Sequence, residues 1–183
     1  MLKRRCFAFS VLVCLWIFLL VCCGCEISTL PPKQLSAADL VFSLEANVEI
    51  QSVGQEYHGK LQYHPSQVAS LTLDSPEELK SLTWFWQGDH FQITYQGLSV
   101  QSKDCSLPDS SFAALLIRVL NYAQQPAVLT ACGDHTFEGV SDGVPFTITA
   151  GADGRIQKVE IPEFDFVASF TDPQSEILKN AGS

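Results

Sequence analysis

The chain has 183 residues, with 11 Lys and Arg against 20 Asp and Glu, which gives a formal net charge of −9 at pH 7. This acidic balance argues against binding to nucleic acid and against lying flat on an anionic lipid surface, because both attract basic patches. The length suits one domain with one sizeable core, and the sequence contains no internal repeat or low-complexity tract.

The N-terminus has the layout of an export signal. Lys3, Arg4 and Arg5 precede an uncharged, strongly apolar run from Cys6 to Cys23. The run is also long enough for an uncleaved anchor helix, which is the alternative interpretation. It ends in Val21-Cys22-Cys23-Gly24-Cys25, which resembles the lipobox of bacterial lipoproteins, although that family usually has Leu where this chain has Cys22.

The lipobox resemblance implies cleavage after Gly24 and a covalent lipid of the palmitate type on Cys25. Residues 1–24 would be the signal peptide, and residues 25–35 the acylated cysteine and a linker stiffened by Pro31-Pro32. Cleavage would leave 8 basic and 20 acidic residues, a net charge of −12. Both alternatives place the domain at the cell membrane, anchored on its extracytoplasmic face.

From Leu40 onward, apolar and polar residues alternate, which predicts antiparallel strands with one wet face. Three such patterns run between Phe42 and Leu73, and Ser75-Pro76-Glu77-Glu78 predicts a helix of one or two turns through Lys80. An aromatic hairpin follows from Leu82 to Tyr95, and Leu98 and Val100 continue its pattern.

The segment from Ser110 to Ala123 has a helical period instead. Five apolar residues fall at i, i+3, i+4, i+7 and i+8, with Arg118 and Asn121 on the other side of the helix. A helix of this length is only marginally stable alone, so its apolar stripe must pack on the strands. It either completes a core or covers a cavity. The stripe consists of Phe112, Leu115, Leu116, Val119 and Leu120.

A second group of strands follows the helix, within 127–131, 137–140, 144–150, 156–161 and 164–170. The predicted fold class is mainly β with a few helices: a curved antiparallel sheet with the amphipathic helix across its apolar face. This domain spans residues 36–173, and residues 174–183 form a flexible C-terminal tail. A closed lipocalin-like barrel is the alternative.

Two further cysteines flank the helix. If Cys25 carries lipid, Cys105 and Cys132 remain as an even pair in an oxidising compartment, which predicts a disulfide. The bridge would close a loop of about 27 residues and stabilise the fold by about 3 kcal/mol through loop entropy. Two buried free thiols are the alternative.

No catalytic or metal motif stands out. His58, His64, His90 and His135 are scattered over different predicted strands without metal-ligand spacing, so we expect no metal site. The sequence contains no nucleophile elbow or glycine-rich phosphate loop. Asp134-His135 is the single pair that could lie beside a nucleophilic serine. We therefore expect no enzyme activity and no cofactor apart from the covalent lipid on Cys25.

The whole pattern, one-sided strands interrupted near the middle by an apolar helix after Pro108-Asp109-Ser110, resembles the bacterial lipoprotein carrier and receptor superfamily (LolA/LolB-like) over roughly Leu40 to Thr171. In that superfamily an incomplete barrel lidded by helices accepts acyl chains on its concave face. The resemblance therefore implies that the curved antiparallel sheet of this chain forms an incomplete (half) β-barrel lidded by the amphipathic helix. A lipid-anchored member is closer to the membrane-bound receptor, or to the LolA-like germination lipoproteins of spore formers.

The resemblance implies two alternative functions. In the first, the half-barrel binds an acyl chain or a lipoprotein in an apolar cavity. In the second, the chain is an interaction lipoprotein that binds an envelope protein such as a cell-wall hydrolase, with a filled core and an exposed apolar patch or edge. The candidate cavity residues are Trp84, Trp86, Phe91, Ile93, Phe112, Leu116, Leu120, Phe146 and Phe166.

Overall fold

The computed structural model describes residues 35–88, 90–102 and 111–172. The predicted export signal, Cys25, Cys105, the segment from Pro108 to Ser110 and the predicted tail lie outside these residues. The predictions made for them therefore stay predictions. None of the helices in the described ranges is long and apolar enough to cross a membrane.

The described residues form eleven strands and one α-helix. The first six strands are β1 (Leu44–Ser52), β2 (Gln55–His64), β3 (Val68–Ser75), β4 (Thr83–Gln87), β5 (His90–Tyr95) and β6 (Leu98–Ser102). The helix α1 (Phe112–Ala123) follows, and then come β7 (Thr130–Ala131), β8 (Thr136–Ser141), β9 (Val144–Ala150), β10 (Ile156–Ile161) and β11 (Phe166–Thr171). Single 3₁₀ turns lie at Ala37–Asp39, Glu77–Leu79 and Pro162–Phe164.

All eleven strands belong to one curved antiparallel sheet in the order β6-β5-β4-β3-β2-β1-β11-β10-β9-β8-β7. Each half is a meander, and the two halves meet where β1 pairs with β11, with Val48 opposite Phe170. In the described part of the chain, the edge strands β6 and β7 do not pair with each other, so the sheet is open. This confirms the predicted half-barrel with its helix and excludes the closed barrel.

The face of the sheet that packs against α1, called here the inner face, carries the predicted alternation. Val48, Ile50, Leu61, Leu71 and Ile148 on this face are at most 2% exposed. The predicted stripe of α1 is confirmed: its last four residues are at most 2% exposed and Phe112 is half-buried. The buried surface is wider than the predicted stripe, because it also includes Ala113, Ile117 and Ala123. The helix and most of the inner face thus form the main core, and Phe137 and Ala150 pack with Leu35 and Leu40 in a smaller one.

The predicted helix of one or two turns at 75–80 forms as a single turn, and its predicted capping box is absent. Only one 3₁₀ turn forms, at Glu77–Leu79, and Pro76 precedes this turn without a side-chain cap. The backbone explains the difference: Leu73 N–H donates to Leu82 O at 2.9 Å, and Ser81 N–H donates to Leu73 O at 2.8 Å. Because both ends of the segment are held by β3, no room remains for a second turn.

The strands just after the helix also differ from the prediction. Only Thr130–Ala131 of the segment 127–131 is a strand, because Ala127 lies in a turn with a φ of +61°. In β8, Phe137 is buried but Val140 is 53% exposed. Inward-pointing positions alternate, so Gly139 rather than Val140 shares the inner face with Phe137.

Candidate binding groove

Aromatic contacts hold both ends of α1 on the sheet. Phe112, the first residue of the helix, stacks on Tyr57 of β2 with ring centroids 4.4 Å apart, and meets Trp84 of β4 edge-on at 5.2 Å. Near the other end, Tyr122 meets Phe146 of β9 edge-on at 6.1 Å. The helix therefore touches both halves of the sheet and bridges the open barrel, as a lid does.

A groove with a volume of about 440 Å³ lies along the second half of α1, in the size range of small-molecule sites. Three hairpin turns contribute to its walls: Gln67 from the β2–β3 turn, Gly88 from the β4–β5 turn and Asp142 from the β8–β9 turn. The remaining lining residues are Ala69, Trp86, Ala114, Ile117, Arg118, Asn121, Tyr122, Gln125 and Ser141. The groove is thus the place where both halves of the sheet and the helix meet.

The groove has an apolar floor and a polar rim. Trp86 and Ile117 are 7% and 4% exposed and also belong to the core between helix and sheet. Gln67, Arg118 and Gln125 supply amide and guanidinium groups around them. Seven of the twelve lining residues are polar or ionisable, so the groove is an open, mainly polar cleft above a small apolar floor.

One side chain of the rim is fixed by a hydrogen bond to the core. The hydroxyl of Tyr63, a fully buried residue of β2, donates to Oδ1 of Asn121 at 2.8 Å. Burial raises the pKa of this phenol far above its usual value near 10, because the phenolate would lose its hydration. Asn121 therefore faces the sheet and not solvent alone, which differs from its predicted place on the outer side of the helix.

The structure brings the nine candidate cavity residues together. Seven of them lie in the main core, and Ile93 and Phe112 pack against it. Leu116, Leu120 and Phe166 are at most 1% exposed, so these side chains fill the space between helix and sheet themselves. Of the nine, only Trp86 lines the groove. A ligand that used the rest would have to displace part of α1.

Sequence reasoning missed the groove. Its lining comes from three turns and from a helix face adjacent to the predicted stripe, and only the topology brings these parts together. Ile117 could have indicated the groove from the sequence, because it is an apolar helix residue outside the predicted five-residue stripe. Glutamines and glycines in turns carry no signal of this kind.

The remaining chemistry-bearing residues do not form a centre. No group of three metal-ligating side chains exists among the described residues. His58 pairs with Glu56 at 2.7 Å on the exposed side of β2. Cys132 is exposed and its Sγ donates to Thr136 O at 3.5 Å, whereas Cys105 lies outside the described residues. The predicted disulfide is not seen in this part of the chain and stays a prediction.

No family model and no curated protein matches the chain. Among solved structures, the chain is similar to the LolA superfamily protein NE2245 from Nitrosomonas europaea, with a TM-score of 0.41 and 10% identity over 74% of this chain and 89% of that chain. This is the superfamily that the pattern of strands and helix in the sequence resembles. A similarity of this size transfers no function and no binding residue.

Proposed function

We propose that this chain is a non-enzymatic lipoprotein, anchored through Cys25 on the extracytoplasmic face of the cell membrane, whose half-barrel binds an acyl chain, either of a lipid or of another lipoprotein. The ligand enters at the groove between α1 and the hairpin turns. The proposal is supported mainly by the floor of this groove, where Trp86 and Ile117 are continuous with the core under the helix.

The energetics of α1 fit such a role. A helix of 12 residues is marginal in water by itself, so packing on the sheet holds it in place. An acyl chain gains about 0.8 kcal/mol for each CH₂ group that leaves water. Several such groups can replace the contacts that the helix loses when it shifts away from the inner face. A bound acyl chain would therefore offset part of the free energy needed to move the lid.

The acyl-binding proposal is tested in cells that produce the full chain and are fed a palmitate analogue with a photoreactive diazirine and an alkyne. After illumination, we expect adducts on peptides that contain Trp86 or Ile117. If Cys25 is acylated with the analogue, the chain carries the alkyne even without illumination, and Cys25→Ser should remove this light-independent label. The two parts of the proposal, the anchor and the ligand site, are therefore read separately.

A variant that fills the groove provides the matched comparison. Ala114→Trp places an indole in the groove and should lower the light-dependent adducts at least about tenfold, the effect of about 1.4 kcal/mol of binding free energy. Ala131→Trp adds the same side chain at an exposed position of β7 and should leave the adducts unchanged. Equal adducts in both variants, or no light-dependent adduct at all, would contradict acyl binding in the groove.

A second function is favoured by the filled core. Leu116 and Leu120 are completely buried by the protein's own side chains, as an interaction lipoprotein that binds an envelope protein such as a cell-wall hydrolase would require. In this case a photoreactive amino acid at Gln125, on the rim, should crosslink to one protein of defined mass. Crosslinking to lipid alone would reject the second function.

A further inference from the structure

The edge strand β6 is uncharged and exposes apolar side chains. Leu98 and Val100 are 74% and 66% exposed. They stand opposite Tyr95 and Ile93 of β5, and therefore lie on the inner face. None of the five residues of β6, Leu-Ser-Val-Gln-Ser, carries a charge.

Natural proteins protect edge strands with lysine, proline or bulges, because free N–H and C=O groups invite another strand to pair. The strand β6 has no lysine or proline, and its pairing with β5 runs without a bulge from Phe91↔Ser102 to Tyr95↔Leu98. In a chain with a net charge of −9, an uncharged edge is also where two copies repel each other least. The first observation leaves this edge suited to strand pairing, and the second favours a second copy as the partner.

We propose that β6 pairs with β6 of a second copy, antiparallel and around a two-fold axis at Val100. This register places Val100 opposite its own counterpart, Ser99 opposite Gln101 and Leu98 opposite Ser102, so that no charge is brought into the contact. The contact is isologous and closes after two copies. The pairing covers Leu98 and Val100 and does not involve the groove.

The opposite edge of the sheet cannot provide an equivalent partner. The strand β7 contains only Thr130–Ala131, so a head-to-tail β6–β7 contact could pair two residues, against five in the symmetric contact. The symmetric contact therefore forms more backbone hydrogen bonds and leaves fewer polar edge groups unpaired. The two inner faces become continuous across the dimer.

Cysteine crosslinking of the full chain in whole cells tests this register. Directly opposed residues in an antiparallel pair have Cα atoms about 4.5–5.5 Å apart, within disulfide range. After mild oxidation, Val100→Cys should give a disulfide-linked dimer well above the background that the unsubstituted chain sets with its own cysteines. Val53→Cys is the matched control, because Val53 is 77% exposed but lies in the β1–β2 turn.

A mixed experiment distinguishes strand pairing from random collision. Differently tagged copies carrying Ser99→Cys and Gln101→Cys should crosslink to each other more than either crosslinks to itself, because only the mixed pair is directly opposed. Val100→Lys should shift the purified chain from dimer to monomer, and Val53→Lys should not. Equal crosslinking of Val100→Cys and Val53→Cys, or a different partner linked to Val100→Cys, would overturn the proposal.

Discussion

The hydroxyl of Tyr63 and the side-chain amide of Asn121 connect the buried sheet to the rim of the groove through a hydrogen bond of 2.8 Å. Tyr63 comes from β2 and Asn121 from the last third of α1, so the bond closes over 58 residues of sequence. The bond joins the helix to the sheet at the point where the groove opens. Among the described residues, no buried side-chain N or O atom lacks a hydrogen-bond partner.

We expect Asn121→Leu to lower the free energy of unfolding by about 1–3 kcal/mol, because it leaves the buried Tyr63 hydroxyl without a partner. Tyr63→Phe should cost less, about 0.5–1.5 kcal/mol, because the half-buried Asn121 can bind water in the groove. Urea unfolding followed by tryptophan fluorescence gives both values. The double variant should lose less stability than the sum of the two single losses. A loss equal to that sum would show that the two residues are not coupled.

The raised pKa of Tyr63 predicts a loss of stability in alkali. The unfolded chain releases this phenolic proton near pH 10, whereas the folded chain keeps it to higher pH. Stability from this group is therefore fully present below about pH 10 and falls above it, by up to about 1.4 kcal/mol per pH unit. Urea midpoints measured from pH 8 to pH 11 should fall more steeply for the unsubstituted chain than for Tyr63→Phe. Parallel curves would contradict this assignment.

Gly154 is expected to resist substitution. Its φ is +81°, and an added Cβ would lie 2.2 Å from the backbone oxygen of Asp39. The segment before β1 lies there against the β9–β10 turn, since Val41 N–H donates to Gly154 O at 2.9 Å. Gly154→Ala should cost more than the roughly 1 kcal/mol of a left-handed residue, because the backbone of Asp39 must also move.

The control for this substitution is Gly54→Ala in the β1–β2 turn. Gly54 has a similar φ of +73°, but nothing lies within 4 Å of an added Cβ. Thermal unfolding should place Gly54→Ala between the unsubstituted chain and Gly154→Ala. Equal melting temperatures for the two variants would show that the backbone at Asp39 moves aside without a measurable loss of stability.

The predicted Cys105–Cys132 bridge can be tested by alkylation and intact mass. Cys132 is exposed, so as a free thiol it should react at once with iodoacetamide. If the bridge forms, Cys132 stays unmodified until a reductant is added, and Cys105→Ser makes it reactive without reductant. Loss of the bridge should cost about 3 kcal/mol of stability. Immediate alkylation of Cys132 in the unsubstituted, exported chain would reject the bridge.

The sequence alone was enough to predict the elements that depend on local periodicity. Alternation in Leu44–Ser52 and the helical spacing from Phe112 to Leu120 each determine which side chains become buried, whatever the partner. These two periods predicted a one-sided sheet with one helix on it, and the resemblance to the LolA/LolB-like superfamily implied that the sheet stays open. Two local predictions failed. No capping box forms at Pro76, and Ala127 lies in the turn after the helix instead of in a strand.

Only the tertiary structure decided how the two meanders meet and what lies at their rim. The pairing of β1 with β11, the bond from Tyr63 to Asn121 and the groove beneath Gln67 and Asp142 all join residues far apart in the chain. Such contacts depend on the curvature and order of the whole sheet, and no window of neighbouring residues contains that information. The periods determined which residues face inward, and the topology determined which of them meet.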